Sequence, residues 1–246
     1  MIELSGVTYR YDHTEMAFDL TVDAGAFLTV IGPSGAGKTT LLNLIAGFER
    51  PDGGRIVLDG RDAAGQPPAQ RPVTTLFQEH NLFAHLTAAQ NVGLGLHPGL
   101  RLSSTQRDMV SQGLAVVGLA GFEDRLPRQM SGGERRRVAL ARSIVRDRKI
   151  LLLDEPFAAL DPPRRLEMVA LVDALRRDRG LTVVMVSHLL DEVVGAATHA
   201  VFVQDGRILA AGTVDDFLAA PPVPEITGYL GTRPRPRAVP RAAKRG

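Results

Sequence analysis

The segment Phe27-Leu-Thr-Val-Ile-Gly-Pro-Ser-Gly-Ala-Gly-Lys-Thr39 joins a short apolar run to a glycine-rich loop. Gly32–Thr39 fits G-x-x-x-x-G-K-[ST], and the residues after it place Leu41, Leu42, Leu44 and Ile45 on one helical face. Strand, loop and helix in that order separate a phosphate-binding loop from a chance match. Gly32, Gly35 and Gly37 let backbone N–H groups turn inward around phosphates, with Pro33, Ser34, Ala36 and Thr40 completing the cradle. Lys38 can reach the β- and γ-phosphate oxygens, and Thr39 can ligate Mg²⁺. The segment therefore predicts an α/β protein that binds a nucleotide triphosphate.

Other candidate residues follow apolar runs of the same kind. Ile150–Leu153 ends in Asp154 and Glu155, and ligands of α/β sheets bind beyond the carboxyl ends of strands. Asp154 is expected to hold Mg²⁺, and Glu155 to polarise the water that attacks the γ-phosphate. His188 follows Val183–Ser187, where an imidazole N–H can donate to a γ-phosphate oxygen. Gln78 follows Val73–Phe77 and could touch Mg²⁺ or the attacking water; a plain polar strand end is the rival reading. Tyr11 precedes the loop, and with no Trp and three Tyr in the chain it is the candidate adenine platform, against ordinary packing. His13, His80, His85, His97 and His199 read as surface or packing residues.

A second anion site is written at Gln129-Met-Ser-Gly-Gly-Glu134. Ser131 and Glu134 form a capping box for the helix that follows, whose apolar stripe is Val138, Ala141 and Val145, with Arg135, Arg136 and Arg137 expected in solvent. The cap does not explain Gly132 and Gly133, because each glycine in a helix costs about 1 kcal/mol relative to alanine. Two glycines here imply that something approaches the backbone closely.

The rest of the chain sets the frame. Its 246 residues are 44% apolar and 23% charged, values of an ordinary globular protein. No apolar run approaches the roughly 18 residues of a membrane span, the N-terminus lacks a signal-peptide pattern, and there is no cysteine. These features read as a cytoplasmic protein. The net charge of +2 conceals a basic tail, since Thr232–Gly246 holds Arg233, Arg235, Arg237, Arg241, Lys244 and Arg245 without an acid. The body is thus mildly acidic, which argues against a nucleic-acid-binding face, and the Pro- and Arg-rich tail is expected to be disordered from about 232. Residues 2–9, 16–22, 55–58, 181–186 and 200–203 read as further strands, residues 164–177 as an amphipathic helix, and residues 88–145 as a helical insertion.

Taken in order, GPSGAGKT, Gln78, SGGE, Leu151–Pro156 (LLLDEP), Ala159–Asp161 (ALD) and His188 resemble the ATP-binding subunit of ABC transporters over roughly residues 1–220. The resemblance implies an ABC-type P-loop NTPase: a RecA-like, mostly parallel core sheet, an N-terminal antiparallel β subdomain and a helical signature subdomain, followed by a C-terminal extension over 221–246. It also implies a head-to-tail dimer with a second copy of the chain, in which Ser131, Gly132, Gly133 and Glu134 of one protomer meet the ATP held by the other's Lys38. Asp161 would line that interface, and Gln78 would report nucleotide state to an integral membrane permease. A periplasmic solute-binding protein would act indirectly, and the ATPase would sit on the cytoplasmic face of the inner membrane.

Within the family, Leu76–Leu102 is similar to the corresponding stretch of bacterial thiamine-importer ATPases; iron, polyamine and sulfate importers are the alternatives. Met130 and Glu134 replace the usual leucine and glutamine of the signature, Ala158 a serine, and Leu189 an acid. Glu134 brings a negative charge near ATP, partly offset by the helix N-terminus. A soluble ABC ATPase of DNA repair or translation fits less well, because a coiled-coil or zinc insertion is missing. A kinase or GTPase would leave SGGE and His188 without work.

Overall fold

The computed structural model describes residues 1–12, 14–77, 82–158 and 160–230. Gln78, Ala159, His13, His80 and the basic tail lie outside the described residues. The chain begins with β1 (Ile2–Tyr11), β2 (Thr14–Val22) and β3 (Phe27–Ile31), then α1 (Lys38–Ala46), β4 (Gly53–Leu58), β5 (Arg61–Asp62) and β6 (Val73–Leu76). A helical stretch follows: α2 (Ala88–Gly93), α3 (Ser104–Val116) and α4 (Gly132–Ile144), which pack on one another. The chain returns through β7 (Ile150–Asp154), α5 (Pro162–Arg179), β8 (Thr182–Val186), β9 (His199–Gln204) and β10 (Arg207–Thr213) to α6 (Val214–Ala219) and α7 (Pro224–Leu230).

Among the described residues ten strands form one sheet, ordered β5-β4-β1-β2-β10-β9-β3-β8-β7-β6. The block β9-β3-β8-β7-β6 is parallel throughout, whereas β1, β2, β4 and β5 pair antiparallel. Composition explains the division. The parallel strands β3, β7 and β8 are buried at every position, as strands covered on both faces must be. Alternate side chains then enter different cores. Phe27, Ile31, Leu151, Leu153, Val183 and Met185 pack with residues of α2 to α5, while Leu28, Val30, Leu152, Val184 and Val186 pack with α1 and the antiparallel strands.

Register lines up the chemistry. Val30 pairs with Val186, Val186 with Asp154, and Leu153 with Leu76. The residues that follow these strands, Gly32, Glu155 and His188, therefore emerge along one carboxyl edge. β10, α6 and α7 have no counterpart in the strand and helix periodicity of the sequence. The segment after residue 220, read there as an extension, contributes α7, whose Ile226 is fully buried beside Phe202 and Phe217. Arg135, Arg136 and Arg137 are half-buried rather than solvated: Arg135 donates to the Met130 carbonyl at 2.7 Å, and Arg136 keeps a buried Nε without a partner.

The phosphate-loop helix α1 is anchored from below. Arg71, 1% exposed, donates through Nη1 to the Leu44 and Ile45 carbonyls at 2.6 and 2.9 Å and through Nε to the Gln66 carbonyl at 3.0 Å. The Leu44 and Ile45 carbonyls belong to the last turn of α1, whose carbonyls a helix cannot satisfy itself. Gly47 is needed beside them, since a Cβ there would stand 2.5 Å from Arg71 Nε. Arg71→Met should lower unfolding free energy by about 2–4 kcal/mol, because buried carbonyls lose their donors. Urea denaturation, with an unchanged m-value, is the check.

Candidate functional site

The loop Gly32–Gly37 is built where only glycine fits. Gly32 adopts φ +147°, and a Cβ would lie 2.0 Å from the Val203 carbonyl oxygen, so the loop leaves β3 pressed against β9. Gly37, at φ +100°, precedes the first turn of α1 and would meet Met16 Sδ at 3.3 Å. Lys38 is buried and donates through Nζ to the Gly32 and Pro33 carbonyls, each at 2.7 Å. An ammonium has three N–H donors, so these two bonds aim the charge across the loop while a phosphate oxygen can still be met. Burial pushes the Lys38 ammonium down, and the Glu155 and Asp154 carboxylates oppose that shift.

Asp154 is 9% exposed at the end of β7. Burial pushes its carboxyl up and the Glu155 charge adds to this, while a hydrogen bond from the Thr39 side chain and the charges of Lys38 and His188 pull it down. The Thr39 hydroxyl and the Asp154 carboxylate are thus brought together. Two hard oxygen donors beside a phosphate cradle suit Mg²⁺, which binds through one or two protein oxygens plus substrate phosphates.

Glu155 occupies the left-handed region at φ +44°, a strained setting for a side-chain-bearing residue that costs on the order of 1–3 kcal/mol. Its Oε1 lies 2.6 Å from His188 Nε2, where the imidazole N–H donates to the carboxylate. The turn carrying His188 is held by Ser187, whose Oγ accepts from the Leu189 N–H at 3.2 Å and donates to the Leu189 carbonyl at 3.1 Å. Beside Glu155 and His188 lies a cavity of about 120 Å³ that also meets Arg165 and Glu192. Arg165 forms an ion pair with Glu192 and donates to the Leu160 carbonyl at 2.8 Å and the Ala158 carbonyl at 3.3 Å. It ties the loop before α5 to the His188 turn. Neither Arg165 nor Glu192 is marked in the sequence, where both look like polar residues of helical segments.

Ser131 and Glu134 form the capping box: Glu134 N–H donates to Ser131 Oγ at 3.2 Å and Ser131 N–H to Glu134 Oε2 at 2.6 Å. That backbone bond is the first cause of the lowered Glu134 carboxyl. Met130 is buried, as its apolarity requires. A Cβ at Gly132 or Gly133 would meet only Arg135, Arg136 and Leu160, none closer than 3.8 Å. Among the described residues nothing demands glycine there.

Asp161 caps α5, accepting from the Arg164 N–H at 3.1 Å, a role the sequence reading did not assign. Tyr11 ends β1 with its ring 60% exposed, while Tyr9 is engaged with Glu49 at 2.7 Å and its phenol is pushed up to about 12 by that bond. The β1–β2 hairpin reaches the phosphate loop through Met16, beside Gly37. His97 accepts from Gly99 N–H, His85 packs on Phe83, and His199 lies against Thr198, all away from this edge.

Comparison with known proteins is consistent over nearly the whole length. The ABC transporter family model matches residues 16–158. The chain is 52% identical over 224 residues to the thiamine import ATP-binding protein ThiQ of Photorhabdus laumondii subsp. laumondii, covering 88% of this chain and 95% of the relative. It is 50% identical over 238 residues to the ThiQ protein of Chelativorans sp., covering 96% and 97%. Among solved structures it is similar to the dimeric, post-hydrolysis ATP-binding cassette MJ0796 bound to ADP and Pi, with a TM-score of 0.76, 29% identity and coverage of 87% and 99%. The ADP conformation of the cassette MJ1267 matches with a TM-score of 0.81, 25% identity and coverage of 92% and 97%.

The raised Asp154 carboxyl carries a stability cost with a definite sign. The fold favours the protonated acid, so the penalty is absent below the ordinary aspartate pKa of about 3.9 and grows as pH rises through the folded value. Asp154→Asn should therefore melt at a higher temperature than the parent at pH 7, with the gap closing near pH 4, while losing Mg²⁺-dependent nucleotide hydrolysis. Calorimetry across pH with a phosphate-release assay checks both halves.

Proposed function

This chain belongs to the ABC transporter family of ATP-binding proteins, and from that premise we propose that it energises thiamine import through a separate membrane permease. It hydrolyses ATP, as the family does. The observation that carries the cargo assignment is identity of about one residue in two, over nearly the whole chain, to relatives named for thiamine import. No helix among the described residues is long and apolar enough to cross a membrane. The ATPase would sit on the cytoplasmic face of the inner membrane, with residues 1–220 as its ATP-binding domain and residues 88–145 as the helical part.

In this reading the ATP phosphates lie in the Gly32–Thr40 cradle, with the adenine against Tyr11. Lys38 holds the β- and γ-oxygens. Mg²⁺, held by Thr39 and Asp154, would neutralise charge on those oxygens. Glu155 accepts a proton from the attacking water as its oxygen bonds to the γ-phosphorus and the bond to the ADP oxygen breaks, leaving ADP and phosphate. With ATP bound, the His188 N–H that meets Glu155 in this structure would donate to a γ-oxygen instead. Gln78 would carry nucleotide state to the permease.

A second copy of the chain completes the site. Ser131, Gly132 and Gly133 at the N-terminus of α4 supply anion-binding N–H groups to the partner's ATP, with Glu134 beside them and Asp161 at the seam. The open space at Gly132 and Gly133 supports this reading, because close approach from outside gives their lack of side chains a reason.

Glu155→Gln should keep ATP affinity, lose at least about 100-fold in kcat, and abolish uptake of labelled thiamine by cells carrying the permease. Wild-type ATP turnover in that variant would remove Glu155 from its role. Ser131→Arg should abolish hydrolysis and leave the monomer's ATP affinity unchanged; an equal loss of monomer binding would place the signature in cis.

A further inference from the structure

Tyr229 lies in α7, beyond the segment matched by the family model, yet its side chain ends at the catalytic edge. The ring packs edge-on against Phe202 of β9, centroids 5.5 Å apart. Its hydroxyl donates to the His188 carbonyl at 2.8 Å. The Gly32 amide N–H is turned toward the same oxygen, and the Glu155 charge is felt there. One phenol thus joins α7 to the main chain of His188. Burial pushes the phenol up, so it remains a neutral donor at physiological pH. A tyrosine O–H has one donor, and the His188 carbonyl takes it.

We propose that Tyr229 is a positioning residue for ATP hydrolysis: its hydroxyl ties the His188 main chain to a ring seated on Phe202 and so sets the His188 imidazole against Glu155. The proposal rests on the roles assigned above to Glu155 and His188. The geometry explains why a hydroxyl is used at all. Packing against Phe202 and the seating of Ile226 need only an apolar ring. The His188 side chain is 43% exposed, so the hold on its backbone matters for where the ring points. A misplacement on the order of 1 Å at a catalytic group can cost about 100-fold in rate. Loosening one of several restraints should cost less.

The test compares Tyr229→Phe, which keeps the ring, with the parent full-length chain in steady-state hydrolysis of Mg-ATP. The expected result is a kcat lower by about fivefold, the scale of one neutral hydrogen bond, with KM for ATP unchanged. The melting temperature should stay within about 3 °C. A double-mutant cycle separates positioning from general stability. In single-turnover measurements on a His188→Ala background, removing the hydroxyl should cost nothing further, because its effect runs through His188. Wild-type kcat in Tyr229→Phe overturns the proposal, and so does an equal fold-loss in both backgrounds or a loss tracked by melting temperature. Glu155→Gln is run alongside: wild-type turnover there overturns the site assignment and this proposal with it. Lost turnover there with wild-type kcat in Tyr229→Phe overturns the proposal alone.

Discussion

Two opposite charges, the Lys38 ammonium and the Asp154 carboxylate, are buried at the carboxyl edge of the parallel sheet, and the surrounding structure is arranged around them. Burying an ion is expensive unless it is paired or hydrogen-bonded. Lys38 is satisfied by the Gly32 and Pro33 carbonyls, which exist in the right place because Gly32 takes a conformation that presses the loop on Val203. Asp154 is met by the Thr39 side chain from the first turn of α1. The cradle, the helix and β7 thus hold one another through the groups proposed to serve ATP. The shifts of the two charges, each driven first by burial, mark where stability is given up for function.

Glu155 extends that pattern from charge to backbone. It stands in the left-handed region immediately before Pro156, and the residue before a proline has restricted freedom of its own. The strain turns its carboxylate toward His188 rather than along the strand direction. Arg165 and Glu192 brace the two loops that flank this pair, and Ser187 closes the turn of one of them. The site is therefore held by side chains that tie together the connections after β7 and β8, each of which would shift if its brace were lost. Preorganised donors and acceptors of this kind are what phosphoryl transfer asks of a protein, since the chemistry itself is mostly positioning and charge.

How much of this could be read in the chain depended on the kind of signal. The parallel strands were legible because full burial on both faces leaves uninterrupted apolar runs such as Ile150–Leu153. The phosphate loop and the acids after β7 were legible because fixed spacing encodes a fixed geometry. β10 was not: its alternating burial over Arg207–Thr213 contains two alanines and a glycine, too little apolar contrast for a period of two to stand out. α7 has one fully buried apolar anchor, Ile226, in seven residues. Arg165 meets Glu192, and Tyr229 meets the His188 carbonyl across 41 residues of chain, only by tertiary packing, and no local pattern can announce such a meeting. Arg135–Arg137 were misjudged for a related reason. Charge predicted solvent, but the guanidinium of Arg135 serves the carbonyl that precedes its own helix cap.

The signature helix shows where reading a single protomer stops. Ser131 and Glu134 are accounted for locally, since each satisfies a backbone N–H that the first turn of α4 leaves unpaired. Gly132 and Gly133 are not, because their backbone is ordinary and the space around them admits a side chain. A helix bearing two glycines in its first turn gives up stability without a return inside this chain. In the proposed reading the return comes from a surface that one copy does not contain. Anion-binding N–H groups with no side chains in the way are what a phosphate approaching from a second copy would need. Glu134 then acquires a double character: it strengthens the cap that orients those N–H groups, and its carboxylate, held low by the Ser131 amide, keeps a negative charge at the place where the phosphate would arrive.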